Sequence, residues 1–220
     1  MQVKSPVLKF NTATLLTVSY THLDVYKRQY YTYLKNAMVR RPFTFNGQDS
    51  IVYAGELSRV EAIQNAAKAT VYGFQAAVEA RLIPHLFVMV RYNYQIGEEE
   101  LDDGSTFPSR HAAPSFGQTY LSWRASRLTL QAGIEFMGQK DFDELPPEEQ
   151  AKDYLYAIDA EGKPYSPSWT IFNVKSMYKI SKNLVASLGV ENFTDVRYRP
   201  YSSGICAAGR NFVLSLRAGF

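Results

Sequence analysis

Apolar and polar positions alternate with period two along most of the chain, the signature of strands with one buried or lipid-facing side. From Thr70 to Leu82 the even positions read Thr70, Tyr72, Phe74, Ala76, Val78, Ala80 and Leu82, while the odd ones include Gly73, Gln75, Glu79 and Arg81. A turn at Ile83-Pro84-His85 follows, and Leu86, Val88, Val90, Tyr92, Tyr94 and Ile96 return on the apolar side. The pattern repeats twice more. Thr119, Leu121 and Trp123 lead through Ala125-Ser126 to Leu128, Leu130, Ala132, Ile134 and Phe136. Thr170, Phe172, Val174, Ser176, Tyr178 and Ile180 lead through Ser181-Lys182-Asn183 to Leu184, Ala186, Leu188 and Val190. The last segment places Phe212, Leu214, Leu216, Ala218 and Phe220 on one side, and Tyr30 to Arg40 reads as an earlier strand with weaker alternation.

Connection lengths also alternate. The turns at 83–85, 125–126 and 181–183 are tight, whereas 41–65, 97–115, 140–166 and 193–210 are long and polar. Outer-membrane barrels sort their connections this way, short on the periplasmic side and long outside. The polar sides carry Gln75, Glu79, Arg81, Arg91, Gln131, Glu135, Lys175, Glu191 and Arg217, which a dry sandwich core would have to pair but a wet lumen accepts. The pattern therefore predicts an all-β fold: an antiparallel up-and-down transmembrane β-barrel of about eight strands. A soluble carbohydrate-binding sandwich is the bland alternative and requires two facing apolar layers.

Composition sharpens this. The 16 Tyr and 13 Phe suit pleated strands, and Tyr suits a membrane boundary as well. No apolar run approaches the roughly 18 residues of a transmembrane helix. A net charge of +3 gives no case for a nucleic-acid partner. The single cysteine, Cys206, has no internal disulfide partner, and no zinc-ligand spacing occurs. Residues 1–15 lack a basic start and an apolar stretch of the signal-peptide kind.

At the C-terminal end the residues become recognisable. Glu191-Asn192-Phe193-Thr194-Asp195-Val196-Arg197-Tyr198-Arg199-Pro200 resembles the segment N-L-F-D-x-x-Y near the end of TonB-dependent receptors, with Phe193 and Thr194 departing from the usual Leu and Phe. Gly209-Arg210-Asn211-Phe212, followed by an alternating run to a terminal Phe, resembles the family's closing strand. Asn65 to Glu79 and Arg110 to Gly117 also resemble stretches of these receptors, so the likeness covers about residues 30–220. The motif positions it singles out are Asn192, Asp195, Tyr198, Gly209 and Arg210.

The resemblance implies a large plugged barrel in the outer membrane of a Gram-negative bacterium, importing a scarce nutrient of the siderophore, cobalamin or glycan class with energy relayed by TonB. This chain has room for only part of it. Plug domain and TonB are therefore expected as partners of a full-length parent only, and the chain is expected not to transport alone. Residues 18–29, Val-Ser-Tyr-Thr-His-Leu-Asp-Val-Tyr-Lys-Arg-Gln, resemble a translated cloning or adapter sequence, so residues 1–29 are set apart as non-native or unstructured and the barrel portion is placed at 30–220.

Candidate sites are few. Glu98-Glu99-Glu100-Leu101-Asp102-Asp103 and Asp141-Phe142-Asp143-Glu144 suggest Ca²⁺ by their carboxylates but lack EF-hand spacing, and read as solvated loops. The histidines His22, His85 and His111 accompany no nucleophile motif. No catalytic, metal or cofactor site is assigned, and the protein is not expected to be an enzyme. The apolar C-terminal strand, with Phe220 supported by Leu216 and Leu214, reads as the signal recognised by the outer-membrane assembly machinery; the remaining partner is outer-membrane lipid. A complete eight-stranded barrel with a structural or adhesive role is the alternative, and in that case Tyr30–Arg40 pairs with Asn211–Phe220.

Overall fold

Residues 23–100, 104–110 and 112–219 are described by the computed structural model. Their strands, in chain order, are β1 (Leu23–Pro42), β2 (Ser50–Tyr53), β3 (Glu56–Arg59), β4 (Glu61–Ile83), β5 (Leu86–Glu100), β6 (Thr106–Pro108), β7 (Phe116–Arg124), β8 (Leu128–Met137), β9 (Ala157–Ile158), β10 (Pro164–Tyr165), β11 (Trp169–Lys179), β12 (Leu184–Glu191) and β13 (Asn211–Ala218). A 3₁₀ turn (Phe142–Glu144) and a single-turn helix α1 (Pro147–Gln150) interrupt them.

Eight strands form one antiparallel meander in the order β1-β4-β5-β7-β8-β11-β12-β13, with β6 added beside β5. Each neighbour in the meander follows its predecessor along the chain, so hairpin formation alone sets the topology. The three short turns fall at one end. Backbone bonds lace them together: Arg124 N–H donates to His85 O (2.7 Å), Lys179 N–H to Arg127 O (2.8 Å) and Gly219 N–H to Asn183 O (2.9 Å). His85 adopts φ of 73° directly after Pro84, the pattern of a type II turn, and its Nδ1 lies 2.8 Å from Arg124 O.

The alternation becomes two chemically distinct faces. Tyr72, Phe74, Leu121, Trp123, Leu130, Phe172, Val174, Tyr178 and Leu188 all stand exposed on one of them. Among the described residues no second sheet covers this face, so the two-layer sandwich is absent. The opposite face curls around a cavity of about 750 Å³ lined by Tyr120, Gln131, Glu135, Asn173, Lys175, Glu191 and Arg217. Closure does not occur: among the described residues β1 pairs only with β4 and β13 only with β12, so the strand at Tyr30–Arg40 does not meet the C-terminal strand. The sheet is an incomplete barrel wall.

Element boundaries differ from the sequence expectation at the long-loop end. β1, β4 and β5 run to 20, 23 and 15 residues, against 8 to 11 in the five strands β7, β8, β11, β12 and β13. About 9–11 residues cross a bilayer, so the first three strands carry on well past that length. β1 also begins at Leu23, ahead of the boundary placed at Tyr30, and residues 23–29 pair with 74–80 of β4. Within the connection from β1 to β4, β2 and β3 form a separate hairpin whose turn, Ala54-Gly55, has positive φ at both residues, as a type I′ turn requires.

Glycines mark close approaches within the sheet. The Cβ absent from Gly133 would lie 2.2 Å from the ring of Tyr120, its direct cross-strand neighbour, and the Tyr120 hydroxyl donates to Glu135. Tyr30 covers Gly73 in the same way and donates to Gln95 Oε1 at 3.1 Å. An aromatic ring laid over a cross-strand glycine fills the gap and lets the sheet bend.

Candidate functional site at the long-loop end

β12 ends at Glu191, and the chain turns at once through the motif residues. Asn192 holds φ of 47° and is buried. Its side chain accepts from Val196 N–H (2.9 Å) and donates to Val196 O (2.8 Å) and Ala208 O (3.1 Å), tying both limbs of the 193–210 connection. Its own N–H donates to Asn173 Oδ1 on β11 (2.8 Å). Asn is favoured here because it tolerates the left-handed conformation while bonding its local backbone. Asp195, also at positive φ, accepts from Arg210 N–H at 2.7 Å. A Cβ on Gly209 would lie 2.7 Å from that same carboxylate oxygen, so glycine leaves the room Asp195 occupies. Arg210 Nε donates to Phe193 O at 2.9 Å, and the Tyr198 ring lies 4.3 Å from that of Trp169. Asn192, Asp195, Gly209 and Arg210 therefore form one clasp on the connection that follows β12, while Tyr198 packs beside it on Trp169 of β11.

A second cluster, which no sequence spacing announced, joins the other long connections. Arg41 at the end of β1 is 4% exposed and reaches Glu99 on β5 (2.8 Å) and Glu148 on α1 (3.1 Å). Ser109 donates to the other Glu99 oxygen at 2.8 Å, and the Phe107 ring lies 5.0 Å from the guanidinium. The neighbouring Glu149 is fully buried; it accepts from Tyr156 and from Ser202 (2.7 Å), and Arg110 lies 3.5 Å away. Burial works to raise the Glu149 carboxyl, but the Tyr156 and Ser202 hydroxyls and the Arg110 charge outweigh it and hold it below its ordinary value. Burial first, then the Glu149 carboxylate, pushes the Tyr156 hydroxyl up. Lys140 donates to Ala112 O at 2.5 Å, and burial brings its ammonium down.

Glu99, read from sequence as part of a solvated acidic loop, is thus half of a buried ion pair, and Asp141–Glu144 form a capping box around the 3₁₀ turn. Among the described residues no group of acidic, His or Cys side chains is arranged for a metal ion; residues 101–103, His22 and His111 lie outside the described residues.

Between the two clusters lies a cavity of about 370 Å³ lined by Tyr154, Tyr156, Trp169, Arg197, Tyr198 and Arg199. Arg199 is fixed by donation to Tyr154 O (3.0 Å) and to Cys206 Sγ (3.4 Å), which with Arg197 keeps the thiol below its ordinary value. Trp169 Nε1 is buried without a hydrogen-bond partner among the described residues. Guanidinium groups beside aromatic faces suit planar or anionic guests. Of the residues assigned to assembly, Leu214 and Leu216 stand 80% and 68% exposed on β13, and Phe220 lies outside the described residues.

Comparison with known proteins agrees with this architecture. The family model for the TonB dependent receptor-like β-barrel matches residues 8–193. Similar solved structures include the copper transporter OprC (TM-score 0.68, 12% identity, 92% of this chain). A mutant of the ferric enterobactin receptor PfeA from Pseudomonas aeruginosa gives 0.61, 19% and 92%. The pyoverdine outer membrane receptor FpvA from Pseudomonas aeruginosa PAO1 gives 0.59, 18% and 90%. The chain spans 30%, 29% and 27% of those three chains, and no curated protein matches it. At these identities the structural likeness speaks for the fold, and together with the family match over most of the length the conclusion is plain: the chain belongs to the TonB-dependent receptor β-barrel family.

Proposed function

We propose that this chain is the C-terminal wall of an outer-membrane import receptor of a Gram-negative bacterium, with residues 30–220 as its native barrel portion. The observation that carries this is the single open antiparallel sheet with one uncovered apolar face and one polar, concave face. Both edges need strand partners, which supports further barrel strands in the parent protein. Outer-membrane lipid covers the apolar face, and the plug and TonB belong to the parent rather than to this chain. The wall by itself does not transport, and the role is carriage rather than catalysis.

The cargo is a large scarce nutrient, and the metal or metal-chelate class is favoured over cobalamin or glycan because the neighbours are named for copper, ferric enterobactin and pyoverdine. The cavity with Arg197, Arg199, Trp169 and Tyr198 supplies contacts for an anionic chelate at the long-loop end. Assembly is proposed to read the exposed strand β13, with Phe220, Leu216 and Leu214 as its signal.

Two measurements test this. The chain should partition wholly into detergent micelles or membranes; a soluble monomer that melts cooperatively without detergent overturns the membrane role. Disrupting the gene in its host should abolish growth on chelated metal while growth on abundant free metal persists. Unchanged uptake of every metal chelate tested overturns the cargo assignment.

A further inference from the structure

The large concave cavity reaches from the long loops to the short turns. Asn192 and Tyr198 line its upper end, and Lys179 and Arg217 its lower end. Tyr198 also lines the smaller cavity that holds Arg197 and Arg199, so the two spaces share a wall. From Glu191 down to Val185 on β12 is about 20 Å.

The lower half holds cations without acids. Lys179 and Arg217 both pair with Val185 in the ladder, one from each side, which sets their Cα atoms roughly 10 Å apart. Lys175 lies on the same face, about 13 Å further up β11. All three are exposed. The segments 175–190 and 211–219 contain no Asp or Glu. The acids that line the cavity stand higher and are engaged: Glu135 accepts from Tyr120 and from Asn173 (3.0 Å), and Glu191 accepts from Asn211 (3.3 Å). Among the described residues Lys175, Lys179 and Arg217 make no ion pair. Elsewhere on the concave face cations and acids are mixed. Arg91 lies 3.8 Å from Glu79, and Arg81 and Arg124 share a cavity of about 220 Å³ with Asp24 and Glu79.

Two like charges about a Debye length apart repel until an anion sits between them. Ser187 and Ser215, cross-strand neighbours just above Val185, add hydroxyl donors to the same space. A chelate with several anionic oxygens offers the charge and the acceptors that ammonium, guanidinium and hydroxyl groups require. We propose that the lower half of this cavity is a second binding site for the anionic chelate, filled after the Arg197–Arg199 cavity at the long-loop end. The proposal rests on the cargo reading above. It gives a guest leaving the upper cavity a second resting place nearer the short turns.

The test uses the full chain folded in maltoside micelles, with methyl-labelled valine and leucine. The probe is tris(oxalato)chromate(III), a substitution-inert paramagnetic trianion that broadens nearby methyl signals. It should broaden Val185 and Val213 at the lower site and Leu155 and Val196 at the upper one. Lys179→Gln with Arg217→Gln should raise the probe concentration needed at Val185 and Val213 about ten-fold, since each exposed charge pair contributes up to about a factor of five. Leu155 and Val196 should respond as before in that variant. The charge-conserving pair Lys179→Arg with Arg217→Lys should keep both sites, and loss of the lower one there overturns the proposal. Broadening of Val185 and Val213 by the cationic tris(ethylenediamine)chromium(III) shows contact without charge selection and overturns it as well. Broadening of Leu155 and Val196 alone removes the second site and leaves the cargo reading intact, whereas broadening of neither pair removes both. Displacement of the chelate from Val185 and Val213 by an equimolar hexaglutamate peptide assigns the cations to an acidic polypeptide and overturns the chelate assignment.

Discussion

Replacing Arg41 by Met should release the long connections from one another. Arg41 joins three elements: its Nη2 meets Glu99 on β5 at 2.8 Å and its Nη1 meets Glu148 on α1 at 3.1 Å, with both carboxylates nearly as buried as the guanidinium. Met keeps much of the side-chain volume but leaves two carboxylates without their cation. Removing one member of a buried ion pair typically costs about 3–5 kcal/mol, because the charge left behind is uncompensated. At about 1.4 kcal/mol per factor of ten, local opening becomes at least about a hundred-fold more frequent. Trypsin reads this directly, since Lys152, followed by Asp153, lies in the connection that α1 anchors. In detergent-folded protein, nicking there should accelerate by that factor when cleavage is slow relative to reclosing. Arg40→Met is the control. Arg40 is 60% exposed and only 3.7 Å from Glu61, so its loss should change nicking little, as for surface pairs in general. If Arg41→Met nicks within two-fold of Arg40→Met, the buried cluster does not hold the loops and the reasoning fails.

Acid should loosen the same cluster: Glu149 ionises below its ordinary 4.5, so its contribution is present above that pH and is lost as pH falls through the lower folded value, measurable as faster amide exchange in 141–166. Asn192→Ala removes three side-chain hydrogen bonds and places Ala at positive φ, so exchange across 193–210 should rise by an amount equivalent to about 2–4 kcal/mol while β7 and β8 stay protected. Gly133→Val forces the Tyr120 ring off its seat and breaks its bond to Glu135, for a loss of about 1–3 kcal/mol that Tyr120→Ala in the same chain should partly restore in thermal melts. Deleting Phe220 from the complete receptor should reduce its surface level more than its ligand binding per molecule; normal levels with weakened binding would reverse the assembly assignment.

Much of the sheet was legible in the chain itself. A strand's side chains alternate with a period of two whatever lies around it, so Tyr72–Leu82, Leu86–Ile96 and their successors declare their faces locally. A hairpin is a local event as well, which is why the turns at 83–85, 125–126 and 181–183 could be placed, and why their common end followed from counting connections. The motif residues Asn192, Asp195, Tyr198, Gly209 and Arg210 could be named by resemblance, yet only the fold brings Asn192, Asp195, Gly209 and Arg210 into one clasp and sets Tyr198 on Trp169, because Asp195 and Gly209 approach through a returning loop. The Arg41–Glu99–Glu148 cluster left no trace in spacing: Arg41 and Glu148 lie 107 residues apart, and an arginine at a strand end reads as solvated until the loops above it close. The extension of β1, β4 and β5 past bilayer length was equally hidden, since the added segments alternate weakly and owe their strand form to the ladder they join. Local periodicity thus determined which side of each strand is apolar and how consecutive strands connect. Burial of charge, the left-handed turns that close the loops and the absence of a β1–β13 ladder depend on contacts between residues distant in sequence, and only the tertiary structure could decide them.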